Sequence, residues 1–266
     1  MLALAATASA SSILIHHVEV PHARPIGESR AASRLVDPDW PATSPFAPAD
    51  LRPLDASPDP LFYLLPRFVQ HVDDAARRSL QRYYTALFAT AEADAPILDL
   101  CSSWTSHFPE NLAPERRVVA VGMNPLELGK NPSATEWRVQ NLNDDPTLPY
   151  EDDSFAFVTC ALSIDYMTKP LALLAEVARV LRPGGVCALS FSNRMFPTKA
   201  VAHWVDRRKS AAAVLSEDRG PSDNYHVWAV GAYLHFAGGF GPPACADVTI
   251  GARTDPMFVV QAVVDK

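Results

Sequence analysis

The chain has 266 residues, 24 prolines, four cysteines and a formal net charge of −7. That length supplies one full hydrophobic core, and the acidic balance excludes a nucleic-acid binder, which needs clustered Lys and Arg along a phosphate track. No run of about 18 apolar residues occurs, so no membrane span is expected. The cysteines (Cys101, Cys160, Cys187, Cys245) have neither metal-finger nor disulfide-frame spacing, so no metal is expected.

Residues 1–36 differ from the rest. MLALAATASASSILI is rich in Ala and Ser, the first acidic residue is Glu19, and Arg24, Arg30 and Arg34 follow. This pattern predicts an organelle transit peptide, chloroplast ahead of mitochondrion; the alternative is a disordered extension of a cytoplasmic protein. Residues 37–60, DPDWPATSPFAPADLRPLDASPDP, are dense in proline and read as an extended arm or linker.

Residues 61–266 carry the regular pattern. Between Pro66 and Ala89, Val69, Val72, Ala76, Leu80, Tyr83, Tyr84 and Leu87 recur at helical intervals and predict one long amphipathic helix. Five β-rich runs follow: ILDL from Ile97, RVVAVGM, WRVQNL, SFAFVTCALS and VCALSFSN. PLALLAEVARVL is a helix stopped by Arg182-Pro183-Gly184-Gly185, and NYHVWAVGAYLHFA is another, closed by Gly238-Gly239. ADVTIG and MFVVQAVVD form a last strand pair with no helix between them, which implies an edge hairpin. Alternation of this kind predicts an α/β fold, a doubly wound and mostly parallel seven-stranded sheet with an antiparallel final strand. The short basic cluster Asp206-Arg207-Arg208-Lys209, followed by Glu217-Asp218-Arg219, reads as a solvated helix end.

LPYEDDSFAFV (148–158), EVARVLRPGGVCALSFSN (176–193) and the closing AGGF (237–240) fall in the order and at the separations of one family. Over residues 61–266 the chain resembles the class I S-adenosylmethionine-dependent methyltransferases, type 11 group. The resemblance implies a Rossmann-like fold, S-adenosyl-L-methionine as cofactor and a small-molecule acceptor.

Four features depart from the family pattern. Asp99 holds the acidic place ending the first strand, but Cys101, Ser103 and Thr105 replace the glycines that let main chain approach the cofactor. Gly122, followed by Met123 and Asn124, stands where an acid takes the ribose hydroxyls. Asn141, beside Leu142, stands where an acid lies near adenine, and Phe155-Ala156 replaces Phe-Asp.

The resemblance therefore implies a cofactor site of Asp99, Cys101, Ser102, Ser103, Trp104, Gly122, Met123, Asn124, Asn141 and Leu142. The serines, with Ser106, would hydrogen-bond the amino-acid end, and Asn124 or Asn141 would bind ribose or adenine through neutral bonds of about half charge-assisted strength. Trp104 would face the sulfonium or pack in the core. Asp99 would serve the cofactor or cap a following helix.

Substrate-side positions are Asp165 and Tyr166 after the fourth strand, Asn193 and Arg194 after the fifth, and His71; Tyr225 and His226 are weaker. Arg67 and His71, one helical turn apart, would share a face toward an acidic substrate or the cofactor carboxylate, or form a solvated face beside a capping aspartate pair. Thiol chemistry is not expected, because strand spacing sets Cys101 and Cys187 far apart.

Methyl transfer to a small molecule is thus the first expectation. The second is a non-catalytic methyltransferase-like protein that binds or assembles with a protein partner in an organelle. A nicotinamide-dependent reductase would need a GxGxxG turn after the first strand, which is absent.

Overall fold

The computed structural model describes residues 12–15, 18–21, 40–206, 222–251 and 253–266. The arginines of the N-terminal stretch and all of the basic cluster except Asp206 lie outside them. Strands β1 (Ser12–Ile15) and β2 (Val18–Pro21) pair as an antiparallel hairpin. The transit-peptide and disordered-extension readings of residues 1–36 did not include it.

The main sheet contains β3 (Ile97–Leu100), β4 (Val118–Gly122), β5 (Glu136–Val139), β6 (Phe155–Ala161), β7 (Leu181–Phe191), β8 (Ala244–Asp247) and β9 (Phe258–Val263). Its spatial order is β5-β4-β3-β6-β7-β9-β8. All pairs are parallel except those of β9, which runs antiparallel to both β7 and β8. This is the expected doubly wound, mostly parallel seven-stranded sheet, with β9 slotted between β7 and the edge strand β8. The expected hairpin is present.

Alternation along each strand divides the core. Leu98, Leu100, Val158, Cys160, Leu189 and Val260 point to one face, under helices α4 (Pro170–Val180) and α6 (Ser222–Ala237). Ile97, Phe157, Ala188 and Val259 point to the other, against helix α2 (Asp74–Phe88). On α2, Leu80, Tyr83, Tyr84, Leu87 and Phe88 are buried, each contributing about 1.5–3 kcal/mol of burial.

Three elements differ from expectation. Helix α2 begins at Asp74, because the Asp73 carboxylate accepts the Ala76 N–H at 2.9 Å and caps it. Residues 67–73 are not helical, so Arg67 and His71 share no helix face; tertiary hydrogen bonds hold this stretch across the sheet instead. The aspartate cap did form.

Second, no helix occurs between β3 and β4, where residues 101–117 cross as coil with Pro109 and Pro114 in the path. A helix-capping role for Asp99 is thereby excluded. Third, the described part of the proline-rich arm is neither free nor a linker. Trp40 stacks on His235, Phe46 packs on His203 and Tyr233, and Pro53 bridges Val201. Buried Lys199 donates to the Ser57 carbonyl at 2.6 Å and ion-pairs with Asp55 and Asp59.

Among the described residues there are also three short α-helices, α1 (Asp59–Phe62), α3 (Pro125–Leu128) and α5 (Ala202–Val205). Among the described residues no helix is long and apolar enough to cross a membrane, and no cluster of His, Cys, Asp or Glu is arranged to hold a metal.

Candidate functional site

A cavity of about 340 Å³ opens at the carboxyl ends of β3, β4, β5 and β6, the position where open α/β sheets bind ligands. Its floor is the loop after β3 and the ends of the neighbouring strands. Residues from Asp59 to Val72 roof it, and Arg194 to Lys199 form a side wall.

The loop keeps part of a glycine-loop shape without glycine. Cys101, at the first glycine position, has φ +53°, in the left-handed region. Its Sγ lies 4.0 Å from Met167 Sδ, and the buried Cys160 thiol is held well above its usual range by contact with Cys101 and by burial. Cys101→Gly should therefore leave stability unchanged or raise it by about 1 kcal/mol, as left-handed strain is relieved. Urea melts check this; a loss above about 1 kcal/mol would mean that thiol packing outweighs the strain.

Beyond Cys101 the loop is tied down by side chains instead of by a following helix. Asn131 Nδ2 reaches Ser106 Oγ at 2.8 Å, the Ser103 carbonyl at 3.0 Å and Ser102 Oγ at 3.2 Å. The Ser102 N–H donates to the Val121 carbonyl at 2.8 Å, laying the loop main chain against the end of β4. Gly122 permits this: a Cβ there would stand 2.1 Å from the Ser102 carbonyl oxygen. The position that carries an acid in the family pattern is thus filled by loop backbone.

A different carboxylate enters the cavity. Glu127 on α3 accepts Ser103 Oγ–H on Oε2 and the Arg67 N–H on Oε1, both at 2.6 Å. Asn124 lines the cavity, with both ends of its amide engaged by protein groups. Its Oδ1 caps α3, and its Nδ2 donates to the Tyr63 and Leu64 carbonyls at 3.0 and 3.2 Å. Asn141 lines the cavity with its amide tied to Asp144 and Asn143, and Leu142 is buried beside it. Met123 also lines the wall. Trp104 does so too, donating to the Val69 carbonyl at 3.4 Å and meeting Phe68 edge-on, so it pins the roof to the loop.

Asp99 is buried at the floor, accepting from Thr159 Oγ1 at 2.7 Å. Burial pushes its carboxyl up to about 6, against the hydroxyls of Ser102, Ser106 and Thr159. His71 lines the roof; burial, helped by Arg67, lowers its pKa below the usual histidine value, so it is neutral near pH 7. Tyr166 faces the cavity, its hydroxyl accepting the Phe196 N–H at 2.9 Å.

The remaining expected residues separate. Arg194 lies on the side wall, paired with Asp255 at 2.6 Å. Asn193 is exposed and Asp165 is buried, and neither reaches the cavity lining. Tyr225 and His226 lie in the core around α5 and α6, with His226 stacked on Trp204. Sequence reasoning missed Glu127, Asn131, Thr159 and Gln70; none lies in a recognisable motif, though an acid in the first turn after β4 was a usable signal for Glu127.

Residues 101–189 match the family described as methyltransferase domain. The matched residues run from the loop after β3 into β7. Among curated proteins the chain is similar to demethylmenaquinone methyltransferase of Staphylococcus aureus strain JH9, 34% identical over 107 residues. That match takes in 38% of this chain and 44% of the relative, so the chain spans less than half the length of the curated relatives it matches. Among solved structures, a SAM dependent methyltransferase from Aquifex aeolicus is 17% identical, with TM-score 0.47 over 72% of this chain and 94% of that one. A phosphoethanolamine N-methyltransferase 2 from Haemonchus contortus is 11% identical, with TM-score 0.45 over 71% and 52%.

Proposed function

We propose that the chain transfers a methyl group from S-adenosylmethionine to a small-molecule acceptor. One observation carries this reading: a ligand-sized cavity lies at the carboxyl ends of the first strands, above a left-handed turn at Cys101 and the buried Asp99 carboxyl. The residues fit the cofactor with one contact rebuilt. Glu127 Oε1 and Oε2 each accept one donor and retain capacity for another, which suits ribose hydroxyls where β4 itself ends in glycine and not in an acid.

Bound there, the cofactor supplies a methyl group already activated by its sulfonium. The protein then needs chiefly to align the acceptor and exclude water. The roof of residues 59–72 serves exclusion, and the neutral His71 imidazole is available to take a proton from a hydroxyl acceptor. The N-terminal composition supports delivery to an organelle, chloroplast before mitochondrion.

A non-catalytic, partner-binding role is the second reading, favoured by an exposed apolar band on the outside of the roof. There Leu61, Leu64, Leu65, Phe68 and Val69 face solvent, with Leu126 beside them on α3. Calorimetric titration with S-adenosylmethionine and S-adenosylhomocysteine separates the two. Methyl transfer requires binding on the order of micromolar, weakened about tenfold or more by Asp99→Ala. No binding at about millimolar ligand would leave the partner-binding reading standing alone.

A further inference from the structure

Three strong cations line the cavity, and two are neutralised. Arg194 pairs with Asp255, and Lys199 with Asp55 and Asp59. Arg67 has no ion pair among the described residues. Its guanidinium rests over the rings of Phe62 (4.4 Å), Phe196 (5.5 Å) and Tyr63 (5.8 Å), and Nη2 donates to the Phe62 carbonyl at 2.8 Å. Nε and Nη1 have no acceptor among the described residues. A guanidinium so held keeps a planar fork of donors, which suits a carboxylate better than a point charge would.

Three residues along, Gln70 lines the same cavity with its Oε1 buried and no hydrogen-bond donor to it among the described residues. A buried acceptor left unpaired is costly, and one in a cavity wall is explained by a ligand that donates to it. Glu127 does not fill either need, since it meets Arg67 only through the main-chain N–H.

We propose that Arg67 and Gln70 form a receptor for a carboxylate carrying an N–H or O–H donor beside it, the pattern of an amino or hydroxy acid. Arg67 takes the carboxylate and Gln70 the donor. Two molecules can bring that chemistry: the amino-acid end of the cofactor, in which case the inference rests on the function proposed above, or an acceptor with its own acidic end.

Equilibrium binding to the full chain separates these sources. The ligands are S-adenosylhomocysteine, 5′-methylthioadenosine (the same nucleoside without the amino-acid end), L-tyrosine and its decarboxylated counterpart tyramine. The proteins are wild type, Arg67→Met and Arg67→Lys, with thermal melts to confirm folding. If S-adenosylhomocysteine binds wild type about tenfold or more tighter than methylthioadenosine and Arg67→Met abolishes the gap, the receptor holds the cofactor's end. If the two nucleosides bind alike, but L-tyrosine binds and tyramine does not, and Arg67→Met removes that preference, it holds an acceptor.

Arg67→Lys should keep part of the preference in either case, because the charge remains and the fork is lost. An Arg67-dependent response to L-tyrosine without any nucleoside binding would defeat the methyltransferase reading and leave the receptor standing. Folded Arg67→Met protein that matches wild type for every ligand, or wild type with no preference for the carboxylate form, would overturn the inference.

Discussion

Restoring the family's acid by Gly122→Asp should cost about 3 kcal/mol or more of folding stability and should not create a ribose contact. The added Cβ would meet the Ser102 carbonyl oxygen at 2.1 Å and Leu128 Cδ2 at 3.1 Å. The leucine can rotate away, but the carbonyl is main chain. Its residue is bonded through N–H to Val121, and Asn131 gathers Ser102, Ser103 and Ser106 from the other side. Gly122→Ala should show most of the same loss, because the conflict begins at Cβ. Urea melts of both variants, with S-adenosylhomocysteine titrations, provide the check. A stable Gly122→Asp protein that bound the nucleoside more tightly would mean that the loop yields freely and that the acid is merely missing. A steep loss of stability means that the loop has taken the acid's place, and that a ribose carboxylate must come from elsewhere, with Glu127 as the available group.

The strands were legible because β-rich runs alternate in side-chain direction and end at turn residues, and the last two runs lacked a helix between them. Their spatial order was not, because strand sequence does not say which strands pair. The start of α2 was hidden because apolar spacing continues through residues 67–73, while Asp73 and the bonds to Glu127 and Trp104 hold that stretch as a roof. The missing helix after β3 had a signal in Pro109 and Pro114. The arm had one too, since Trp40 and Phe46 are large aromatics with reason to dock. At the site, positions after strand ends could be read, but their facing could not. Asp165 and Tyr166 are adjacent, yet only Tyr166 reaches the cavity. Asn124 was read as a ligand contact because its amide suits one; the structure gives that amide to a helix cap and two carbonyls. Glycine at 122 looked like decay of a motif and is instead a requirement of the rebuilt loop.

Asp165 yields the other large effect, as a dependence of stability on pH. Burial pushes its carboxyl up to about 8, whereas an unfolded chain ionises an aspartate near 3.9. Between those values the unfolded state has released a proton that the folded state keeps, so stability falls as pH rises and is fully present only below the unfolded value. Asp99, raised to about 6, acts in the same direction and stops contributing above that. His107 and His203, lowered by burial to about 4 and about 3, act in the opposite sense. The unfolded chain binds their protons below about 6.5 while the folded chain resists, so their stability is lost as pH falls. From about pH 4 to 6 the two acids and two histidines oppose one another; from about 6.5 to 8 Asp165 acts alone among these four groups. Wild type should therefore lose about 2 kcal/mol across that upper window, and Asp165→Asn should be nearly flat. Urea melts at three pH values across it decide the matter, and a flat wild-type profile would show that the carboxyl is not held protonated. Asp165 also neighbours Tyr63 and Tyr166, both in the cavity wall. An anion forming beneath that wall would repel an acidic ligand, so carboxylate affinity should weaken over the same window in wild type and hold steady in the asparagine variant.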